Sequence, residues 1–521
     1  MLQELVTSCS LFLLFLISTN AIPRRQNEPW SIILCKFADQ PKYEPKTKEW
    51  VRDWITGSHP DSIRSYFEQV SNGVYTIDGT DVHGWFQLPF KQKEILRLTN
   101  IQTALKLGSE SSFEYFDKIK ELCVKEAERN GVVTHRQKIT IVNGGTTAVY
   151  GKKYGVLLTP QMMFPSVLTH EMVHSFFIGH SYSDRKIRVF PYALNGEYDD
   201  RYDLMSTANA YMHLSPFGMA GPGLNGAHLD FLGWLPMDRM LYFGHDGRQN
   251  YTLRLSSLSV AHNATRGWLF VMIPYDRTNP RNFYTVELRT PHNFDRGIGQ
   301  ASVLIHRVQR AGESYYSVLL SQAQDYYELT EGTEWVKFLD VTINGRFQAL
   351  RVSVKKVYAT DADITISSTF SPTECRLGEV ASRLKEPTAG IQHVCLDKDR
   401  EIDESDLRRQ VARQHFYSDG KTFGANSCRT GKIWRAIDAY DYVCVDPKRQ
   451  EEIQSETEHQ VERFNQTSSD CTDSFFPRAA FSGDRICVSE EEKNATEVDN
   501  AQSLRHLKYF EFFNGIDTVG P

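Results

Sequence analysis

The residues best placed for chemistry lie in VLTHEMVHSFFIGH, positions 167–180. His170 and His174 stand four apart, so on a helix they lie about 40° apart on one face and can share a metal ion. Neutral imidazoles are good zinc ligands, and three protein ligands with one position open to water make a catalytic site, not a structural one. Glu171, beside the first histidine, is placed to take the proton of a zinc-activated water and pass it to a leaving amine. Pro165 suits the first turn of such a helix, and Leu168, Met172 and Phe176 give it an apolar side away from the histidines. With 16 His and 65 acidic residues in 521, a His-acid-x-x-His arises by chance in about one such chain in twenty. A further histidine at the tenth position, His180, lowers that to about one in 500. Two histidines on an ordinary helix are therefore the weaker reading. Three residues compete for the third ligand: His180, Glu197 and Asp184.

The elements that must position these residues are legible in outline. Trp30 to Phe37 (WSIILCKF) reads as a buried strand, and Thr47 to Thr56 and Asp61 to Gln69 have helical apolar spacing. Asn72-Gly73 and Asp78-Gly79 punctuate an expected hairpin, VYTIDGTDVHGWFQLP. Gly108 to Asn130 reads as an amphipathic helix, and Lys138 to Val142 and Gly155 to Leu158 as further strands. Strands and helices mix through the first 240 residues, an α+β or α/β pattern, and with the β-rich and repeat regions that follow, the chain as a whole reads as α+β. From Tyr251 to Ser368 eight short alternating runs separated by turn residues replace the helical periodicity, which predicts a β-sandwich-like domain. Boundaries fall near Gly244 to Gln249 and near Ser371-Pro372. Beyond them, CRTGKIWRAIDAYDYVCV from Cys428 repeats as CTDSFFPRAAFSGDRICV from Cys471, with a looser copy from Cys375 to Cys395. Each unit is too small to bury a core alone, so an internal disulfide is the expected staple.

Composition narrows the class. The chain is 40% hydrophobic, 12% aromatic and 24% charged, with a net charge of −6. That is globular, and nothing in the balance asks for nucleic acid or an anionic membrane as partner. Residues 10–18 (SLFLLFLIS) are apolar for too short a run to span a bilayer, and with the small residues after them they read as a signal peptide over 1–21. A signal anchor is the alternative, since Glu4 stands in the n-region without a Lys or Arg. With Cys9 removed, eight cysteines remain, an even set suited to an oxidising, extracellular compartment. Their distribution pairs Cys35 with Cys123 and then Cys375–Cys395, Cys428–Cys444 and Cys471–Cys487. Sequons at Asn250, Asn263, Asn465 and Asn494 fit a secreted glycoprotein.

The chain resembles the metzincin zinc metallopeptidases, whose motif is H-E-x-x-H-x-x-G-x-x-H, through His170, Glu171, His174 and His180. Tyr202-Asp203-Leu204-Met205-Ser206 looks like that family's methionine turn. WSIILCKFAD, SIRSYFEQVSNGVYTIDG and GPGLNGAHLDFLGWLP look specifically like the secreted immune-inhibitor-A and gametolysin-like branches, covering residues 30–240. The resemblance implies a metzincin-like catalytic domain over 28–246, then the β-sandwich-like domain over 249–370 and the disulfide-stapled repeats over 371–521. It also implies Zn²⁺ on His170, His174 and His180, Glu171 as general base, and a protein or peptide substrate. The repeats are similar to small Cys-containing units appended to secreted proteins; a spacer or stabilising module is the plain reading of them, and an extracellular-matrix or cell-surface ligand the alternative. An oxyanion-stabilising tyrosine would come from Tyr182, Tyr198 or Tyr202, while His228 reads as a core histidine. One departure stands out: the family's helix-ending glycine is Phe177 here, and Gly179 is expected to make a displaced turn. The alternative function is a catalytically inactive binding protein on the same scaffold.

Overall fold

The structure is a computed structural model. It describes residues 26–99, 110–236, 239–244, 248–274, 283–311, 314–321, 326–341 and 347–369, and in the tail 380–381, 395–396, 428–437, 441, 443–459, 463, 471–480, 484 and 486–506. The expected signal segment, Cys375 and Asn465 lie outside the described residues. The fold is mixed α+β, and two compact units emerge: Met1–Ile178 with Leu229–Trp234, and Gly179–His228 with Leu235–Pro521.

In the first unit, β1 (Trp30–Lys36) is buried along all but its last residue, which is why its sequence is a near-continuous apolar run. It lies inside a five-stranded sheet with β2 (Asp81–Gln87), β3 (Gln137–Val142), β4 (Ala148–Gly151) and β5 (Gly155–Leu158), in the order β2-β1-β3-β5-β4. All pairings are parallel except that of edge strand β4 with β5. Helices α1 (Lys48–Thr56) and α2 (Ile63–Val70) begin where the Thr47 and Ser62 hydroxyls accept from the amides of Trp50 and Ser65, each at 3.1 Å. After α3 (Gln92–Leu98), α4 (Glu110–Arg129) packs on all five strands. Ile119, Cys123, Val124 and Ala127 bury against Ile33, Cys35, Val142 and Leu157, and the expected Cys35–Cys123 disulfide ties α4 to β1.

The expected hairpin does not form. Asn72, Gly73 and Gly79 do adopt left-handed turn conformations, at φ 53°, 77° and 86°. Yet Asp81–Gln87 pairs in parallel with β1, Ser31 opposite Asp81, while Tyr75 is buried among Phe67, Phe176 and Trp234. Turn residues fix where a chain reverses; they do not choose the strand it pairs with.

In the second unit β6 (Tyr182–Ser183), the hairpin β7 (His213–Ser215) with β8 (Gly218–Ala220), and β9 (Met240–Tyr242) precede the β-rich region. The eight alternating runs are β10 (Asn250–Ser256), β11 (Phe270–Pro274), β12 (Phe283–Arg289), β13 (Ser302–Ala311), β14 (Ser314–Leu319), β15 (Glu334–Val341), β16 (Phe347–Val357) and β17 (Asp361–Ser368). They form a four-stranded sheet, β10-β17-β16-β15, and a six-stranded sheet, β6-β14-β13-β12-β11-β9. Leu253, Leu255, Val352, Val354, Ile364 and Ile366 of the first share one core with Val271, Ile273, Val286, Leu288, Val303 and Ile305 of the second, which is sandwich packing. Strand β17 alternates between buried and half-buried residues, but β12 is buried on both faces, including Thr285, Glu287 and Arg289.

The tail shows the repeat. β20 (Ile433–Trp434) pairs with β21 (Cys444–Val445), and β22 (Phe476–Pro477) with β23 (Cys487–Val488); β18 (Val380–Ala381) with β19 (Cys395–Leu396) is the third such pair. Disulfides Cys428–Cys444 and Cys471–Cys487 staple two of the copies. The repeated arginine and aspartate are buried bidentate partners in both: Arg435 on Asp441 at 2.8 and 3.0 Å, Arg478 on Asp484 at 2.8 and 3.2 Å. Helices α6 (Pro447–Glu458) and α7 (Glu490–Gln502) interlock the copies, since Arg435 donates to Asn500 on α7 and Arg478 to Glu456 on α6. Replacing Cys471 and Cys487 together by serine should cost the tail about 3 kcal/mol, the entropy of a loop of this length. Faster limited proteolysis within 428–506 and an earlier urea transition would show it. Among the described residues no helix is long and apolar enough to cross a membrane.

Candidate metal centre

Helix α5 (Pro165–His174) packs on β4 and β5, with Pro165 at its first turn as expected. Leu168, Met172 and Phe176 are fully buried, which fixes the rotation of the helix and the face that carries the histidines. His170 and His174 bring their Nε2 atoms to 3.0 Å. Two nitrogens at about 2.0–2.1 Å from one tetrahedral ion would be about 3.3 Å apart, so the pair needs little adjustment to share one. The His174 Nδ1 faces the Ile178 carbonyl at 2.8 Å and must donate to it, which leaves Nε2 with its lone pair for a metal.

His180 completes the cluster. The ligand atoms of His170, His174 and His180 lie within 4.8 Å of one another, a group that could hold a metal ion. The two other candidates for the third position have different partners. Glu197 Oε1 lies 2.6 Å from His180 Nδ1, and its Oε2 accepts from the Leu194 amide at 2.6 Å. Asp184 accepts from the Ser321 amide at 3.0 Å. Glu197 thereby holds the His180 ring through Nδ1 and turns Nε2 toward the cluster, the carboxylate–histidine arrangement common around bound metals. Burial lowers the pKa of His180, with Glu197 opposing it, and the neutral ring is the form that binds metal. Replacing Glu197 by alanine should weaken metal binding at the cluster about 10–100-fold, the usual loss when a ligand's orienting partner goes. Competition with a chromophoric chelator would measure it.

Between the ligands the structure corrects the expected turn. The left-handed residue is Phe177 itself, at φ 64°, and Gly179 is not among the residues with positive φ. The chain makes its left-handed turn at Phe177 without glycine, at a cost of roughly 1–2 kcal/mol for the Cβ. The Phe177 amide donates to the His174 carbonyl at 3.1 Å, closing the helix end.

Glu171 is buried on α5, and the Tyr150 amide of β4 donates to its carboxylate. Burial pushes its pKa up to about 7, against the pull of that hydrogen bond and of the Lys120 ammonium. Lys120 is itself buried, on Asp117 at 2.7 Å and the Gly155 carbonyl at 3.1 Å. Its part near Glu171 went unread in the sequence, because one lysine in an amphipathic helix ordinarily faces water.

Next to His180 in the chain, Ser181 joins a buried hydrogen-bond network of the second unit. Met205 is buried in the turn Leu204–Ser206, and its carbonyl accepts from the Ser181 amide at 3.2 Å. Asp203 accepts from the Met205 amide and the Ser181 hydroxyl on one oxygen, and from the Asn225 amide and His228 Nδ1 on the other, at 2.6–3.0 Å. His228 is buried in the core as expected, held through Nδ1 by Asp203. Of the three tyrosines, Tyr202 donates to Glu328 and Tyr182 packs on Tyr316. Tyr198, left-handed at φ 63°, puts its hydroxyl 2.9 Å from His180 Nε2, the nitrogen left for the metal.

No protein-family model matches the chain, and neither does a curated protein or a solved structure.

Proposed function

We propose that the chain is a secreted, zinc-dependent endopeptidase of the metzincin type. The observation that carries the reading is the cluster of His170, His174 and His180 with a buried carboxylate, Glu171, next in sequence to the first ligand. The three imidazoles suit Zn²⁺, which when bound would polarise the scissile carbonyl and make a water acidic. Glu171 accepts the proton of the attacking water and returns it to the leaving amine. Its buried position, fixed by the Tyr150 amide, keeps the carboxylate from turning to solvent. Tyr198, at the metal-facing nitrogen of His180, is the tyrosine placed to donate to the developing oxyanion. The three disulfides of the described residues suit an extracellular setting. Phe177 is the one departure that would favour an inactive scaffold, but it adopts the left-handed turn and leaves the cluster assembled.

The test is hydrolysis of a mixed peptide library by the zinc-loaded full chain, read by mass spectrometry. Cleavage that a chelator stops and added zinc restores is expected. Zinc-loaded protein that cuts nothing would overturn the peptidase. Tyr198→Phe should lower kcat about 10²–10³-fold, as loss of one oxyanion donor does, with zinc content unchanged.

A further inference from the structure

Phe177 is costly for the fold in two ways. Its backbone is left-handed, a conformation that glycine would adopt without strain. Its ring is 51% exposed although Phe176 and Ile178 on either side are buried. Among the described residues no aromatic ring or cation meets that ring. Neither the turn nor the core explains a phenylalanine here. What the position does offer is proximity to the ligands: Phe177 is three residues from His174 and three from His180, so the chain holds it within about 10 Å of both.

A second aromatic series starts at a ligand on the other side of the sequence. The Tyr198 ring lies tilted against His180 with centroids 4.1 Å apart, Phe190 meets Tyr198 edge-on at 5.2 Å, and Tyr192 stacks on Phe190 at 5.4 Å. The series ends in solvent, with Tyr192 77% and neighbouring Leu194 62% exposed. Large apolar groups left in water beside a site mark a binding surface when they cluster. An extended peptide advances about 3.3–3.6 Å per residue, so groups within about 10 Å of the reacting carbonyl meet the first two or three side chains on either side of it.

We infer that Phe177 is a specificity-determining residue, packing on a large aliphatic or aromatic side chain of the peptide within three residues of the bond cleaved. The inference rests on the peptidase reading and names its substrate class: peptides with a bulky apolar residue beside the scissile bond, against those with glycine or a charge there. The ring gives up its own exposure when the substrate side chain covers it, and rings of this kind gain further from edge or offset contacts.

The experiment compares the zinc-loaded full chain with Phe177→Gly and Phe177→Leu on peptides that differ at one position near the cut, carrying Phe, Leu, Gly or Asp. The ratio of kcat/KM for the Phe peptide over the Gly peptide should fall about tenfold or more in Phe177→Gly and less in Phe177→Leu. An unchanged ratio in Phe177→Gly would overturn the inference. Zinc content and thermal midpoint of each variant are measured alongside; Phe177→Leu keeps a side chain at the turn and reports should the glycine variant misfold. If the wild type cuts no peptide, the peptidase reading fails by itself, and fluorescence anisotropy of the same labelled peptides decides the inference. Preference for the Phe peptide that Phe177→Gly loses supports it, and equal binding of all four by the wild type sinks it.

Discussion

Glu171→Gln should lower kcat on any peptide the protein cuts by about 10²–10⁴-fold, the contribution of a well-placed general base. Glutamine keeps the size of the side chain and can still accept from the Tyr150 amide, but it cannot take a proton at neutral pH. Because the proton moves in the transition state, kcat and kcat/KM should fall together, with KM little changed. Zinc content should stay at the wild-type level, since the cluster is made of His170, His174 and His180 without Glu171. A variant that kept most of its activity, measured on peptides with zinc quantified in the same sample, would remove Glu171 from the chemistry.

The second large effect is on stability. Asp203 is buried and holds four donors, from Ser181, Met205, Asn225 and His228. Asp203→Ala strands them together and should cost about 3–5 kcal/mol in urea unfolding, the usual loss when one partner of a buried charged group is removed. Asp203→Asn, which retains a carbonyl acceptor, should cost less. The same contacts set a pH dependence. Burial alone would push the Asp203 carboxyl up, but the His228 ring and the amides of Asn225 and Met205 outweigh it and hold it down to about 2, from 3.8. A depressed carboxylate stabilises the fold above its unfolded pKa, and that contribution is lost as pH falls through the folded one. About 2 kcal/mol should therefore disappear between pH 4 and pH 2, and urea midpoints across that window should fall more steeply in the wild type than in Asp203→Asn.

Sequence spacing carried the helix and the β-rich region well. Two histidines four apart have only one helical geometry, and the alternation of β10–β17 matches the pleat of a sheet with one covered face. It failed where partners are distant. The same alternation in FYTVELR marks Thr285, Glu287 and Arg289 as a water-facing row, yet all three are fully buried. Arg289 pairs with Asp295 at 2.6 Å, Glu287 accepts from the Gly226 amide at 2.6 Å, and His306 on β13 meets Asp200 at 3.0 Å. Gly226 and Asp200 supply the partners of Glu287 and His306 from 61 and 106 residues away, and no local pattern announces a buried charge with so distant a partner. The role of Glu197 was hidden likewise: spacing offered it as a ligand, and only the fold shows it on the far nitrogen of His180. At the end of α5 the nearby Gly179 is the residue that sequence favours for the turn, whereas the chain turns at Phe177 itself, which bears the strain.

The proposed chemistry depends on the metal. Zinc-edge X-ray absorption on the full chain, expressed with zinc and purified without chelator, measures it directly. The expected result is one zinc per chain with three imidazole nitrogens at about 2.0–2.1 Å and loss of one nitrogen, or of the metal, in His180→Ala. Folded protein that binds no zinc, or zinc whose coordination is the same with and without His180, would contradict the centre proposed here and with it the peptidase.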